Sequence, residues 1–190
     1  MEILKKKILS QGTVIDNEIL KVDSFLNHQI DVKLLNEIGL EFKKRFENQD
    51  ITKILTIEAS GIGIACIVAQ YFNSVPVVFA KKHEATTLDT SVYEAEVFSF
   101  TKNKNYRIKT SKKYINKEDK ILIIDDFLAN GNAALGLISI SRKAGADVVG
   151  VGIVIEKAFQ KGRICIEKEG VKVESLAIVK SLKDNKVVFE

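Results

Sequence analysis

Two adjacent carboxylates, Asp125 and Asp126, follow an apolar run at residues 121–124 that is typical of a buried strand. A turn containing Asn130 and Gly131 comes next and leads into a predicted helix. The glycine lets the backbone approach a ligand closely, and free N–H groups at the start of a helix favour a phosphate. Acidic side chains fit beside such a site if the ligand also carries sugar hydroxyls, or a Mg²⁺ bound to its phosphates. The segment therefore predicts a site for a phosphorylated sugar.

Two further polar turns follow predicted strands, at residues 58–63 and 156–160. In the first turn, the N–H groups of Ser60 and Gly61 can hold an anion, although any strand–turn–helix connection needs a cap and a glycine. In the second turn, Lys157 directly follows the predicted strand, so its ammonium group can donate to a carbonyl oxygen of a ligand. A solvated lysine at a strand end is the alternative. These two turns and the acidic segment are expected to meet at one edge of a sheet.

The elements that position these turns alternate between strand and helix. Asp31 is a candidate N-cap for a helix over residues 32–48, where apolar residues recur at helical spacing. Residues 81–91 predict a long surface loop of the kind that often covers or binds a ligand. The remaining predictions are strands at 54–57, 75–80, 120–124 and 148–155, helices at 63–72 and ending near 144, and a hairpin at 92–100 and 106–110. Continuous apolar strands separated by helices predict an α/β fold with a parallel sheet, whose ligands bind at the carboxyl ends of the strands.

Length and composition limit the class of protein. The 190 residues suffice for one domain with its own core, and 29 lysines and arginines against 25 acids give a formal charge of only +4. That surplus suits a small anionic ligand better than a nucleic-acid groove. Cys66 and Cys165 lack a CxxC spacing and are expected to be buried thiols in a reducing compartment. No apolar run reaches the length of a membrane span and the N-terminus has no secretory pattern, so we expect a cytoplasmic protein.

Residues 121–133 resemble the ribose-5-phosphate signature of the type I phosphoribosyltransferases, which bind phosphoribosyl pyrophosphate (PRPP). The sequence departs from the broad family at Asn130 and Ala133, where threonine is usual, and at Ala129, where hypoxanthine-guanine enzymes have an acid. The resulting Ala-Asn-Gly is similar to the xanthine phosphoribosyltransferase branch. Three further segments resemble parts of that branch: the base-covering hood at 20–28, the pyrophosphate loop at 57–62 and the base-recognition strand end at 154–159.

The resemblance implies a type I phosphoribosyltransferase fold, with a central, mostly parallel sheet flanked by helices and a small hood. Residues 1–190 would form a single domain, with the hood built from about residues 1–35 and the C-terminal segment. The implied reaction transfers the phosphoribosyl group from PRPP to xanthine, giving xanthosine 5′-monophosphate (XMP) and pyrophosphate in purine salvage. The same resemblance implies a homodimer and Mg²⁺ held mainly by PRPP, with no protein metal ligand, no nucleic acid and no membrane as partner.

The resemblance also assigns a role to each site residue. The catalytic residues are Asp125 and Asp126, which hold the ribose hydroxyls, and the 5′-phosphate is bound by Ala129, Asn130, Gly131, Asn132 and Ala133. Pyrophosphate is bound by Ser60, Gly61 and Lys81, and xanthine is bound by Leu20, Asn27 and Lys157. The loop after Lys81 is expected to close over the site and to exclude water.

Two alternatives keep the same fold. A phosphoribosyltransferase for guanine, hypoxanthine or adenine would differ only in its base pocket. A regulator that senses PRPP or a purine normally carries a nucleic-acid-binding domain as well, and residues 1–30 are too few for a winged helix.

Overall fold

A six-stranded sheet lies at the centre of the structure, a computed structural model that describes residues 1–82, 91–99 and 104–190. The strands are β1 (Thr13–Ile15), β2 (Ile19–Lys21), β3 (Lys53–Ile57), β4 (Val77–Ala80), β5 (Val92–Ser99), β6 (Lys104–Ser111), β7 (Lys120–Leu128), β8 (Asp147–Lys157), β9 (Val173–Ser181) and β10 (Val188–Phe189). The helices are α1 (Glu2–Gln11), α2 (Val32–Arg45), α3 (Ser60–Tyr71), α4 (Asn132–Lys143) and α5 (Gly162–Lys168). A π-helix spans Asp23–Asn27, and short 3₁₀ turns span Lys112–Tyr114 and Lys183–Asn185.

The central sheet has the strand order β10-β9-β8-β7-β3-β4, and only the pair of β9 with β10 is antiparallel. Alternate residues of β7 enter different cores, because successive side chains of a strand point to opposite faces. Leu122 and Ile124 pack with α2 and α3, whereas Ile121 and Ile123 pack with α4 and the β5–β6 hairpin. A mostly parallel sheet covered by helices on both faces confirms the predicted α/β fold.

Several element boundaries differ from the sequence prediction. The largest difference is in β7, which was predicted to end at residue 124 but continues to Leu128. The reason is that its pairing with β8 continues, with Asp125 opposite Ile153 and Phe127 opposite Ile155. The two acids therefore lie inside the strand rather than in the turn after it. In the same way β8 runs to Lys157, two residues beyond the prediction.

Helix boundaries shift by a few residues. Asp31 caps α2 as predicted, because its Oδ1 accepts a hydrogen bond from the backbone N–H of Leu34, but the helix ends at Arg45 rather than near 48. Helix α3 begins at Ser60, three residues before the predicted start, so the pyrophosphate segment includes the first turn of a helix. The predicted hairpin is present as β5 and β6. Most of the predicted 81–91 loop, residues 83–90, lies outside the described residues.

The N-terminal and C-terminal segments pack against each other beside the sheet. The β1–β2 hairpin meets the C-terminal 3₁₀ turn, where the backbone N–H of Asn185 donates to Oδ1 of Asn17 at 2.9 Å. The Lys5 ammonium group donates to the backbone carbonyl of Glu190 at 3.0 Å. These contacts join the two segments that the resemblance assigns to the hood, and we keep that name for residues 1–35 together with 182–190.

Two further expectations concern the surface. Cys66 is exposed on α3 and Cys165 is half-buried in α5, so the expectation of two buried thiols was wrong. Cys66 lies on the side of α3 away from Ala65 and Val68, which face the core. Among residues 1–82, 91–99 and 104–190, no helix has the length and apolar character needed to cross a bilayer.

Candidate active site

Asp125 and Asp126 sit near the carboxyl end of β7 and are buried, with 6% and 9% of their surface exposed. Each carboxylate is held by the backbone N–H of the following residue: Asp126 donates to Oδ1 of Asp125 at 2.9 Å, and Phe127 donates to Oδ1 of Asp126 at 3.0 Å. Burial raises the pKa of Asp125 well above its ordinary value, and the negative charge of Asp126 raises it further. Two fixed carboxylates in a poorly solvated place suit a ligand that brings hydroxyl donors or a cation.

The phosphate turn, residues 129–133, joins β7 to α4. Gly131 has a φ of 83°, in the left-handed region, and a Cβ there would lie 3.0 Å from Cα of Gly162. Only glycine fits this backbone conformation and this space. The first N–H groups of α4 have no partner within the helix and present a positive dipole end to the cavity. The side chain of Asn132 instead donates to the backbone carbonyl of Phe98 at 2.8 Å, so the turn offers a ligand mainly its backbone.

A cavity of about 210 Å³ brings the phosphate turn together with Asp125 of the acidic pair. It is lined by Val97, Phe98, Tyr106, Asp125 and all residues from Phe127 to Ala134. Sequence reasoning missed Tyr106, which lies on β6 and faces this cavity. Burial and the charge of Asp125 raise the pKa of Tyr106. No local pattern indicates that Tyr106 lines the site, because only the packing of the β5–β6 hairpin brings β6 to the cavity.

Ser60 and Gly61 form the first turn of α3, directly beside the acidic pair. A Cβ on Gly61 would lie 2.1 Å from Oγ1 of Thr56 and 3.5 Å from Oδ1 of Asp125. This position therefore tolerates no side chain, and it brings the N-terminus of α3 within reach of a group bound at Asp125. The predicted pyrophosphate residues Ser60 and Gly61 thus lie at the same site as the acidic pair. The peptide bond between Glu58 and Ala59 just before them is cis.

Lys81 and Lys82 follow β4 at the edge of this site. The backbone of Lys81 pairs with that of Lys109 on β6 through two hydrogen bonds of 2.9 Å. Lys81 also lines a separate cavity of about 540 Å³ along β4. Lys82 is the lysine whose positive charge acts on Asp125, lowering the pKa of that carboxyl against the effect of burial. Its backbone N–H donates to the Glu58 carboxylate. Lys82 is therefore electrostatically linked to the acidic pair, whereas no described contact joins Lys81 to it.

Asn27 lies at the end of the π-helix in the hood, and its amide reaches the acidic pair. Nδ2 of Asn27 donates to Oδ2 of Asp126 at 3.0 Å, across 99 residues of sequence. Leu20 is 5% exposed, and its Cδ1 packs close to Gly12 inside the hood. Of the two hood residues predicted to contact a base, Asn27 is therefore the one with a described hydrogen bond to the acidic pair.

Lys157 ends β8 and faces the hood. Its ammonium group donates to the backbone carbonyl of Glu18 at 2.8 Å, across 139 residues of sequence. Burial lowers the pKa of Lys157, although the nearby Glu18 carboxylate acts in the opposite direction. A partly desolvated ammonium group that donates a hydrogen bond to one carbonyl oxygen can also donate to a carbonyl oxygen of a ligand. The contact also ties the strand end to the hood hairpin.

Among the described residues there is no cluster of three or more histidine, cysteine or acidic side chains of the kind that holds a metal alone. Asp125 and Asp126 nevertheless provide carboxylate oxygens, which Mg²⁺ prefers. The site thus fits a Mg²⁺ ion that arrives with phosphate ligands of its own.

Known proteins resemble this chain over its full length. The family model described as a phosphoribosyl transferase domain matches residues 22–184. The chain is 72% identical to a xanthine phosphoribosyltransferase of Clostridium novyi (strain NT) and 65% identical to one of Clostridium tetani (strain Massachusetts / E88), in both cases over the full length of both chains.

Solved structures show the same fold at low sequence identity. The adenine phosphoribosyltransferase (APRTase) of Giardia lamblia in complex with 9-deazaadenine has a TM-score of 0.75 at 23% identity and covers 87% of this chain and 91% of its own. The adenine phosphoribosyltransferase of Trypanosoma brucei, in complex with AMP, pyrophosphate and ribose-5-phosphate, has a TM-score of 0.76 at 20% identity and covers 92% of this chain and 78% of its own.

Proposed function

The chain belongs to the phosphoribosyltransferase family, and we propose that it transfers the phosphoribosyl group of PRPP to xanthine, giving XMP and pyrophosphate. The names of its full-length relatives support the choice of xanthine. The observation that carries the proposal within the chain is the hydrogen bond from Asn27 to Asp126, because it places an amide suited to a purine edge against a carboxylate suited to a ribose. Base and sugar would meet at that point.

The phosphate side of the site would hold PRPP at three places. The carboxylates of Asp125 and Asp126 accept hydrogen bonds from the ribose hydroxyls, and the backbone N–H groups of residues 129–133 hold the 5′-phosphate. The N–H groups of Ser60 and Gly61 hold the pyrophosphate. Asp125 and Asp126 are the residues that would hold a Mg²⁺ ion arriving with PRPP, and the ion would supply positive charge next to the pyrophosphate. Lys81 and Lys82 add positive charge near the same group.

The base side would present xanthine to the anomeric carbon. The Asn27 amide offers both a donor and an acceptor to a purine edge, and Lys157 donates to a carbonyl oxygen. We keep Leu20 as part of the apolar support of the hood under the base. As the bond from C1′ to pyrophosphate loosens, positive character develops on the ribose and purine N9 attacks with inversion. Catalysis in this proposal consists of positioning and electrostatic stabilisation, with no covalent intermediate.

The proton on the attacking xanthine needs a separate account, because Ala129 supplies no side-chain base at the phosphate turn. Xanthine is itself fairly acidic, so we propose that it loses its proton without help from a protein base. A bell-shaped dependence of kcat/KM on pH that requires a protein base would contradict this step. We also propose that the protein is a single-domain homodimer that works in the cytoplasm.

The first test offers the purified protein PRPP and Mg²⁺ with xanthine, guanine, hypoxanthine or adenine in separate reactions, and quantifies the nucleotide formed. We expect XMP to form with the highest kcat/KM. Preference for another base would overturn the choice of xanthine but keep the chemistry. PRPP binding without any nucleotide product would instead indicate a regulator.

A further inference from the structure

An ion pair at the end of β8 lies beside the proposed site but touches neither substrate position. Glu156 is 3% exposed, and its two carboxylate oxygens accept hydrogen bonds from Nε and Nη2 of Arg163 at 2.8 and 2.6 Å. The same guanidinium group donates through Nη1 to the backbone carbonyl of Val173 at 3.1 Å. A bidentate pair of this kind fixes both distance and orientation, because the guanidinium fork is planar and rigid.

The residue before Arg163 is in direct contact with the phosphate turn. The backbone N–H of Gly162 donates to the carbonyl of Ala129 at 3.0 Å, and a Cβ on Gly162 would lie 2.5 Å from that oxygen. A Cβ on Gly131 would in turn lie 3.0 Å from Cα of Gly162. Because the two glycines are this close, a displacement of Gly162 toward the phosphate turn must displace that turn as well.

The residue after Glu156 is Lys157, which is the proposed base contact and is joined to the hood. A short connection leads from Lys157 to Gly162, and within it the N–H of Gln160 donates to the carbonyl of Lys157 at 2.9 Å. This connection therefore has the base contact at one end and the phosphate turn at the other. Glu156 directly precedes this connection and Arg163 directly follows it. Their ion pair therefore holds its two ends together.

We propose that Arg163 is a positioning residue that, through Glu156 and Gly162, sets the distance between Lys157 and the phosphate turn. Arg163 would keep the base and the 5′-phosphate at the separation that one nucleotide requires. The inference rests on the proposed function, because it needs both substrates to bind at these two places. It adds to that function a residue that contacts neither substrate.

The test compares Arg163→Met with the double variant Glu156→Met/Arg163→Met. Arg163→Met leaves Glu156 as an unpaired buried carboxylate, so its melting temperature should fall. The double variant replaces the whole pair by apolar side chains of similar length, which is often neutral for stability. It should therefore regain most of the lost melting temperature. If the role is positioning, KM for PRPP and for xanthine should rise about tenfold in both variants, with a smaller change in kcat.

Two more variants isolate the geometry. Arg163→Lys keeps the charge but loses the bidentate fork, so it should give an increase in KM smaller than that of Arg163→Met. Arg142→Met is the matched control, because Arg142 makes a similar pair with Glu169 on an exposed surface away from the site. Its kinetic constants should equal those of the unaltered protein.

Unchanged KM values in Arg163→Met, with only the folded fraction reduced, would overturn the proposal. So would a double variant that regains its KM values together with its melting temperature. The dissociation constant of PRPP, measured by calorimetry, provides a readout that does not need turnover. If the unaltered protein makes no nucleotide, the proposed function fails, while an unchanged PRPP dissociation constant in Arg163→Met separately contradicts the positioning role.

Discussion

The two halves of the site are built in different ways. The phosphate half consists of β7 from Asp125 onward and the phosphate turn, which form one continuous stretch of chain in which the N–H group of the next residue holds each carboxylate of the acidic pair. The base half consists of Asn27 and Lys157, which are placed by hydrogen bonds that span 99 and 139 residues. The residues of one half are neighbours in the sequence, whereas those of the other come together only once the whole domain is folded.

This difference predicts that substitutions in the two halves have different effects on the use of substrates. The phosphate half uses backbone N–H groups, a glycine in the left-handed region and two buried acids. These groups would bind PRPP in the same way whichever base accepts the phosphoribosyl group. The base half uses the side-chain amide of Asn27 and the ammonium group of Lys157, which can be exchanged without altering the backbone. Substitutions in the first half should therefore impair transfer to every base, and those in the second should alter mainly the use of xanthine.

The largest expected effect tests the phosphate half. Asp126→Asn keeps the size of the side chain and an oxygen for the N–H of Phe127, but it removes a charge next to the developing positive ribose. We expect kcat/KM to fall by about 10²–10³-fold for xanthine and for any weaker base substrate, as for loss of an electrostatic group in other sites. Steady-state kinetics with each base gives the measurement.

The control for this prediction is Asp50→Asn, which alters an exposed carboxylate paired with Lys120. It should leave kcat/KM unchanged. A loss in Asp126→Asn that is confined to xanthine would break the comparison, because the acid would then belong to the base half through its bond with Asn27.

The second prediction separates two effects of adding a Cβ to a glycine: strain in the backbone and displacement of the phosphate turn. Gly131→Ala places a Cβ at a φ of 83° and 3.0 Å from Cα of Gly162, so the phosphate turn must move. We expect KM for PRPP to rise about tenfold or more, since small displacements of a binding group cost this much. Gly170→Ala is the matched control: its φ of 74° is just as unfavourable, but nothing lies within 4 Å of the added Cβ. Both variants should lose stability, and only Gly131→Ala should lose affinity for PRPP.

The same contrast decides what the sequence could predict. The order of strands and helices and the phosphate half followed from apolar runs, an acidic pair and a glycine turn, because each is a local pattern. The end of β7 was placed four residues too early, since two acids look like a strand terminus until β8 is known to pair alongside them. Local patterns therefore gave the type of each element better than its boundary.

The base half could not be derived from local patterns. Asn27 and Leu20 came from resemblance alone, and the structure separates them: Asn27 reaches Asp126, and Leu20 packs inside the hood. Tyr106 and Arg163 were missed, because a tyrosine in a hairpin and an arginine at the start of a short helix are ordinary until the domain is folded. Its packing brings Tyr106 to the cavity and pairs Arg163 with Glu156 beside it. The hydrogen bonds that place the base half join residues far apart in the sequence, so no local pattern indicates them.

The third effect tests the base half. Asn27→Ala removes the amide but leaves both acids in place, so KM for xanthine should rise about tenfold while KM for PRPP stays within about twofold, which is typical of losing one hydrogen-bonding group to a substrate. Asn48→Ala, at an exposed asparagine after α2, is the control and should change neither constant. An equal rise in both KM values would mean that Asn27 serves the ribose acid rather than the base, which would move it into the phosphate half.

The smallest expected effect concerns stability rather than turnover. The phosphate half holds Asp125 in a buried place that raises its pKa, so ionising this carboxyl costs free energy in the folded state. Below the unfolded-state pKa of about 3.8 both states are protonated and the cost is absent. As the pH rises from the unfolded-state pKa through the raised folded-state pKa, the carboxyl is ionised in the unfolded chain but still protonated in the folded protein. The free energy of unfolding therefore falls over this range. Asp125→Asn removes this penalty, so it should stabilise the protein at neutral pH while reducing activity.

The measurement is urea unfolding of Asp125→Asn and of the unaltered protein between pH 4 and pH 8. The difference in the free energy of unfolding should be near zero at the acidic end and should grow with pH. Asp147→Asn, at the exposed first residue of β8, should show no such growth. A difference that stays constant with pH would show that the variant acts through packing. A growing difference would show that the phosphate half keeps an acid at a cost in stability, as expected of a group retained for binding the ribose.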